Sequence, residues 1–324
     1  MAAAAAAIER VAAHKLFQHG AEYAAHRPTY PTELFARLAD AVRSGPRSLA
    51  VDLGTGTGQA LPGLLEHFER VVALEPSAGQ LEAARAALPA DAKSRVTLRQ
   101  VGAEAIETGG GVPAGSADLV VAFQAAHWFQ LHGESAERPG VYASAARALR
   151  PGGVVALVGY GNCVLHAAEG SFGADGASSA ARAEEVANAA VRKLYKDDLG
   201  VHWDERRGHI DSHYVGLEPR AAQVAEWDDS ATPSDGGARS TGGDSSEVLF
   251  TRCWRDEDLS IRREMSVAAL AGYLSTWSAY KTFKREQPDA PDPIAAARRS
   301  LDAAFGDRPV VVEWPLFAIM VERA

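Results

Sequence analysis

Between Ser48 and Tyr160, apolar runs of strand length alternate with segments whose apolar residues recur at helical spacing. That alternation predicts parallel strands joined by helical crossovers. The runs Leu49 to Leu53, Val71 to Leu74, Val96 to Val101, Leu119 to Phe123 and Val154 to Val158 are nearly continuous in apolar character. Strands covered by helices on both faces have this composition. Helical spacing marks Leu81 to Leu88 and Tyr142 to Leu149, and Pro151-Gly152-Gly153 is expected to stop the second of these before the next strand. Pro62 falls early in the helix after the first strand, either in its first turn or at a split. Upstream, Pro31 has the place of a first-turn proline, and Leu34, Phe35, Leu38 and Val42 form one apolar stripe ending at Gly45.

Beyond Tyr160 the pattern changes. Ser178 to Tyr195 reads as a helix and Val267 to Phe283 as another, with Leu270, Tyr273, Leu274, Trp277, Tyr280 and Lys281 spread over about two faces. Asp228 to Glu247 is rich in Asp, Ser, Gly and Thr, the composition of a mobile surface loop. Val310 to Val312 with Trp314-Pro315, and Leu316 to Val321, read as two strands returning to the sheet. The expected fold is α/β: a Rossmann-like, mostly parallel sheet with helices on both faces and a partly helical cap. Its parts are an N-terminal lid and first helix (1–44), a ligand-binding core (45–160), a cap and substrate region (161–306) containing the loop 228–247, and returning strands (307–324).

Composition narrows the function. The chain has 324 residues, 47% hydrophobic and 23% charged, with a formal net charge of −9 and no long Lys/Arg block. One sizeable domain with an elaborated cap, or one large and one small domain sharing a core, fits that length, and the electrostatic footprint of a nucleic-acid binder is missing. Cys163 and Cys253 have no second ligand at metal spacing, so neither a disulfide framework nor a zinc site is indicated. His202, Trp203, His209 and His213 fit no compact metal helix or hairpin. The Ala2 to Ala7 run is too short and weakly apolar for a secretion signal, and no stretch approaches a membrane span. A cytoplasmic monomer or homodimer acting on a small molecule is expected, with no bound metal and neither membrane nor nucleic acid as partner.

The densest chemical signal is Val51-Asp52-Leu53-Gly54-Thr55-Gly56-Thr57-Gly58-Gln59, where a strand turns into a helix. Alternating glycines let the backbone pass close to a ligand. A dinucleotide enzyme wants Gly-x-Gly-x-x-Gly; here the third glycine arrives one position early. The spacing suits a ligand with an amino-acid end and a nucleoside end, Asp52 facing an ammonium. Glu75, ending the second strand, follows Asp52 at close to the roughly 20 positions expected of an acid that accepts from ribose hydroxyls. After the third strand, Ala103 can lie under an adenine ring while Glu104 accepts from its amine. The segment Phe123-Gln124-Ala125-Ala126-His127-Trp128-Phe129 lies at the C-terminal edge of the fourth strand, where ligands of open α/β sheets sit.

These motifs resemble the class I S-adenosylmethionine-dependent methyltransferases of the methyltransferase-11 type. Tyr23 to Pro31, Gln124 to Phe129 and Tyr273 to Tyr280 look like the trans-aconitate methyltransferase-related branch. The resemblance implies S-adenosylmethionine as cofactor, held by Asp52, Gly54, Gly56, Gly58, Glu75, Ala103, Glu104 and Gln124. Tyr23, Arg27, Thr55, Pro76 and Phe123 are assigned beside them, and the Tyr23 to Tyr30 segment to a lid. Tyr23 and Arg27, four apart, share one helical face and read as helix caps or as groups aimed at a carboxylate. His127 and Trp128 read as packing or as acceptor contacts, His127 being the best base on offer. Arg27 and His127 are thus the catalytic candidates, and Tyr30, His127, Trp128, Trp277 and Tyr280 the substrate candidates, the last two reading as core more often than as pocket. The expected reaction is methyl transfer to an oxygen nucleophile such as a carboxylate. A cofactor-binding protein without turnover and a nicotinamide-dependent oxidoreductase are the alternatives.

Overall fold

The computed structural model describes residues 27–43, 45–135, 138–173, 176–228 and 248–324. Tyr23 and the rest of the expected lid before Arg27, the alanine run, and all of the 228–247 stretch except Asp228 lie outside the described residues.

After a first helix, α1 (Thr32–Ala41), the chain lays down β1 (Leu49–Leu53), α2 (Leu61–His67), β2 (Arg70–Leu74), α3 (Ala78–Ala87), β3 (Val96–Arg99), β4 (Ala117–Phe123), α4 (Val141–Ala148) and β5 (Leu149–Tyr160). β1 pairs in parallel with β2 and β4, β2 with β3, and β4 with β5. Successive side chains of a strand face opposite ways, and the core divides accordingly. Ala50, Leu119, Val121, Val154 and Ala156 pack with Leu34, Phe35 and Leu38 of α1 and Leu61 and Leu64 of α2. Val51, Leu53, Val120, Val155 and Leu157 pack on the other face with Tyr142 and Ala145 of α4. Every position of β1 and β4 is buried, which is why neither shows an apolar-polar alternation in sequence. Pro62 sits in the first turn of α2 and does not split it. Pro151-Gly152-Gly153 lies within β5 as an irregularity: the register jumps from Ala117↔Leu149 to Leu119↔Val154, with Gly152 at φ +75°.

The second half completes the sheet and builds the cap. It contains β6 (Val164–Ala167), α5 (Ala177–Lys193), α6 (Arg207–Asp211), β7 (Val224–Trp227), β8 (Phe250–Asp256), β9 (Ser260–Met265), α7 (Val267–Ser275), α8 (Ser278–Glu286), α9 (Pro293–Phe305) and β10 (Val310–Arg323). The sheet order is β3-β2-β1-β4-β5-β10-β8-β7, with β6 and β9 also on β10. Residues 224–256, assigned from sequence to the cap, therefore contribute two strands to the core sheet. Arg252 and Arg255 interrupt the apolar run of β8, which hid it. The two strands expected at the C-terminus are one. Its first half pairs with β6 and β9, its second with β5 and β8, and Pro315 lies at the changeover, donating nothing while its carbonyl accepts from Gly161 N–H at 2.9 Å. The single helix expected from Val267 to Phe283 is two. Trp277 is extended (φ −63°, ψ 134°) and buries its ring against Tyr195, Trp203 and Tyr273. No helix among the described residues is long and apolar enough to cross a membrane.

Candidate active site

The C-terminal edges of β1, β2, β4 and β5 open onto one cleft. Its first wall is the loop after β1. Gly54, Gly56 and Gly58 all take left-handed dihedrals, φ +67°, +59° and +82°. At Gly54 the space is filled by the protein itself. A Cβ there would stand 2.9 Å from Ala125 Cβ and 3.2 Å from the Phe129 ring, so the glycine lets the β4 edge close onto the loop. Gly54 and Thr55 both donate to Leu74 O, at 2.8 and 3.1 Å, tying the loop to the end of β2.

Glu75 completes that tie. Its Oε2 accepts from Gly56 N–H at 3.0 Å and its Oε1 from Ser77 N–H at 2.8 Å, while the side chain is 6% exposed and lines the cleft. Burial raises its pKa, and the two backbone donors oppose the rise. Asp52 lies deeper, 1% exposed, beneath the loop and outside the cleft lining. Neither of its carboxylate oxygens has a hydrogen-bond partner, and the hydroxyls of Thr55 and Thr57 are buried without one as well. Burial pushes the Asp52 carboxyl up to about 7; the Thr55 hydroxyl, close by but not in hydrogen-bond geometry, opposes this, and the Glu75 charge adds to it.

The opposite wall is aromatic: Tyr30, Phe123, Trp128, Phe129 and Tyr160. Tyr30 and Phe123 centroids are 4.7 Å apart, and Arg206 lies 4.3 Å over the Trp128 ring. Gln124, at φ +53°, uses its side chain to hold Tyr160: Oε1 accepts from Tyr160 N–H at 2.7 Å and Nε2 donates to Tyr160 O at 3.2 Å. Of the candidates read from sequence, Tyr30, Gly54, Thr55, Gly56, Glu75, Pro76, Phe123, Gln124 and Trp128 meet around this cleft. Gly58 supports the loop from behind, facing Leu61 and Ala84.

Other candidates stand elsewhere. Ala103 and Glu104 occupy a short turn outside the lining, where Glu104 Oε1 accepts from Gln130 N–H at 3.0 Å. Trp277 is core, and Tyr280 donates to Asp292 Oδ2 at 2.9 Å within the cap; neither reaches the cleft. Arg27 is one residue removed from the lining, donating to Tyr160 OH at 2.8 Å and to Thr276 O at 3.4 Å.

His127 is not among the residues that line the cleft. Its Nδ1 is 3.2 Å from Tyr214 OH, and its ring packs on Trp128 and Tyr214. Burial and the charges of Arg207, His209 and Arg206 lower its pKa to about 3, so the ring is neutral at any physiological pH. His127, expected to act as a base on a hydroxyl or amine acceptor and otherwise to position a carboxylate, is thus a half-buried residue packed against Trp128 and Tyr214 outside the lining. His127→Gln is expected to leave the rate of methyl transfer within about threefold and its profile between about pH 6 and 8 unchanged. A hundredfold loss, with a near-neutral pKa vanishing from the profile, would restore the base.

Tyr160, Phe129, Gln80, Thr57, Gln59 and Ala125 also line the cleft and were not singled out from the sequence. Tyr160 had a signal: it ends the fifth strand on the same C-terminal edge that marks Glu75 and Gln124.

Residues 51–157 match the family model described as a methyltransferase domain. A solved structure of a proposed type II methyltransferase from Anaeromyxobacter dehalogenans is 31% identical, with a TM-score of 0.63, over 92% of this chain and 97% of that one. The chain belongs to the S-adenosylmethionine-dependent methyltransferases. A proposed methyltransferase of Dictyostelium discoideum is 27% identical over 93% of this chain and 92% of its own length. A Saccharomyces cerevisiae protein, named as an S-adenosylmethionine-dependent methyltransferase, is 23% identical over 84% and 83%. The likeness therefore extends through the cap as well as the methyltransferase core. S-adenosylmethionine is the cofactor, and the orphaned carboxylate of Asp52 and the two-pronged Glu75 suit the ammonium of its amino-acid end and the hydroxyls of its ribose.

Proposed function

We propose that this methyltransferase acts on a small molecule at an oxygen nucleophile, a carboxylate above all, in the manner of the trans-aconitate methyltransferase-related branch. The observation that carries the reading is the makeup of the cleft. Among the described lining residues Glu75 is the only carboxylate, both of its oxygens are engaged by backbone donors, and no histidine, lysine or arginine is present. Such a wall offers no free base to deprotonate an acceptor. A carboxylate is already ionised and nucleophilic at neutral pH and needs none.

Bound S-adenosylmethionine supplies a methyl group activated by its sulfonium. The chain's own share is alignment and the exclusion of water. In this reading Asp52 answers the ammonium, Glu75 accepts from the ribose hydroxyls while keeping Gly56 and Ser77 in place, and the loop backbone at Gly54 to Gly58 borders the methionine chain. The rings of Tyr30, Phe123, Trp128, Phe129 and Tyr160 wall off the opposite side and keep water from the acceptor.

The test uses S-adenosylmethionine labelled in its methyl group, incubated with the protein and a set of small carboxylic acids. Label that enters an extractable product and is released as methanol by mild alkali marks a methyl ester and supports the reading. Alkali-stable label, on a nitrogen or an ether oxygen, would overturn the carboxylate.

A further inference from the structure

The Tyr160 side chain is 4% exposed, yet it borders the cleft. Two neighbours fix it there through three hydrogen bonds. The Gln124 side chain holds both its backbone N–H and its carbonyl. Gln124 is itself anchored by its own N–H to Val158 O at 2.8 Å, in a left-handed conformation that costs a non-glycine residue energy. Arg27 reaches in from the side and donates to the phenol oxygen at 2.8 Å. That guanidinium is held in turn by Thr276 O and by the ring of Tyr273, 5.7 Å from its centre. The Tyr273 to Tyr280 motif thus acts on the cleft at second hand, through Arg27.

A phenol oxygen that accepts from a guanidinium must send its own O–H elsewhere. Among the described residues nothing accepts that proton. A buried hydroxyl with an unused donor is costly, and native structures rarely keep one without a purpose. The Arg27 contact also polarises the O–H and makes it a stronger donor.

We infer that the Tyr160 hydroxyl is the donor that seats the oxygen of the methyl acceptor, with Arg27 and Gln124 as positioning residues behind it. The inference rests on the small oxygen acceptor proposed above. It adds how that acceptor is held: by one directed hydrogen bond from a neutral phenol that relays the pull of Arg27, leaving the cationic side chain itself outside the lining. A neutral donor orients an acceptor oxygen without neutralising its charge, so the nucleophile keeps its electron density.

The test uses the protein saturated with S-adenosylhomocysteine, titrated calorimetrically with benzoate as a carboxylate probe and with phenol as an uncharged oxygen probe. Wild type, Tyr160→Phe and Arg27→Gln are compared. Tyr160→Phe is expected to bind S-adenosylhomocysteine within twofold of wild type and benzoate at least about tenfold more weakly. Arg27→Gln should fall between the two. Benzoate should also move the resonance of the Tyr160 ring carbon that bears the hydroxyl, identified by its absence in Tyr160→Phe, a response that a purely structural tyrosine would not give. Equal benzoate binding by wild type and Tyr160→Phe overturns the inference and leaves the carboxylate reading standing. Phenol bound in a Tyr160-dependent way, with benzoate refused, supports the inference and removes the carboxylate. Refusal of both probes by wild type overturns it, as does a tenfold loss of S-adenosylhomocysteine affinity in Tyr160→Phe.

Discussion

Glu75→Ala is expected to weaken S-adenosylhomocysteine binding by roughly a hundredfold, the largest loss foreseen for any single residue of the cleft. Two effects add. The carboxylate no longer meets the ribose hydroxyls, and hydrogen bonds to a charged group are worth about 1.5 to 3 kcal/mol each. The N–H groups of Gly56 and Ser77, now held at 3.0 and 2.8 Å, also lose their acceptor. Ser77 caps α3 through its hydroxyl, 3.4 Å from Gln80 N, so the disturbance reaches a second stretch of the cleft wall. Glu75→Gln separates the two effects. Its oxygen can hold one backbone N–H while its amide turns a donor toward the other, so the loop should keep part of its order and the affinity should fall about tenfold. Calorimetry alongside melting curves checks both. Affinity within threefold of wild type in Glu75→Ala would place the ribose elsewhere.

The sequence made this wall legible because its features are local. A fully buried strand reads as a continuous apolar run, a left-handed turn favours glycine, and the acid after β2 follows at a spacing set by one crossover. The aromatic wall was only partly legible. Phe123, Gln124 and Trp128 were found because they end or follow β4, but whether His127 or Trp128 lines the cleft depends on the phase of the short helical turn Ala126–Trp128, which a sequence does not reveal. Tyr160 depends on a pairing with Gln124 across neighbouring strands, a tertiary fact. The cap was least legible. In β8 and β9 buried and exposed positions are interleaved with Arg252, Arg255, Arg262 and Arg263, so they lack both the continuous run and a clean alternation. Helix α9 did carry its signals and was overlooked: Asp292 as N-cap with its carboxylate on Ile294 N–H at 2.9 Å, Pro293 in the first turn and Gly306 at the end. Trp277 escaped because burying its ring against Tyr195 and Trp203 outweighed the helical propensity that would have carried the chain straight on.

Asp52→Asn should raise the stability of the ligand-free protein while weakening its hold on the cofactor, and the two changes should respond differently to pH. The carboxyl is 1% exposed, has no hydrogen-bond partner and is held at about 7 rather than 3.8. A folded-state value above the unfolded one means that the native state prefers the protonated acid. The resulting contribution favours the fold fully only below about pH 4 and is lost as pH rises toward about 7. At about pH 8 the buried charge costs the native state roughly 2 to 4 kcal/mol. Asparagine has no such titration, and the cost of burying its amide does not change with pH. The melting-temperature advantage of Asp52→Asn over wild type should therefore grow from about pH 4 to about pH 7, level off above, and reach about 3 to 8 °C. Cofactor binding should respond in the opposite sense. If the ammonium of S-adenosylhomocysteine meets this carboxylate, binding ionises it and releases a proton, so wild-type affinity should rise with pH up to about 7 and that rise should be absent from the asparagine variant. An advantage in melting temperature that is flat across this range would show that Asp52 is ionised and paired throughout. A pH-dependent affinity that survives in Asp52→Asn would assign the ammonium to another group. Native stability given up at a binding site for a charge that only the ligand can pair is a common trade in enzymes, and Asp52, orphaned beneath three glycines, has the environment such a trade requires.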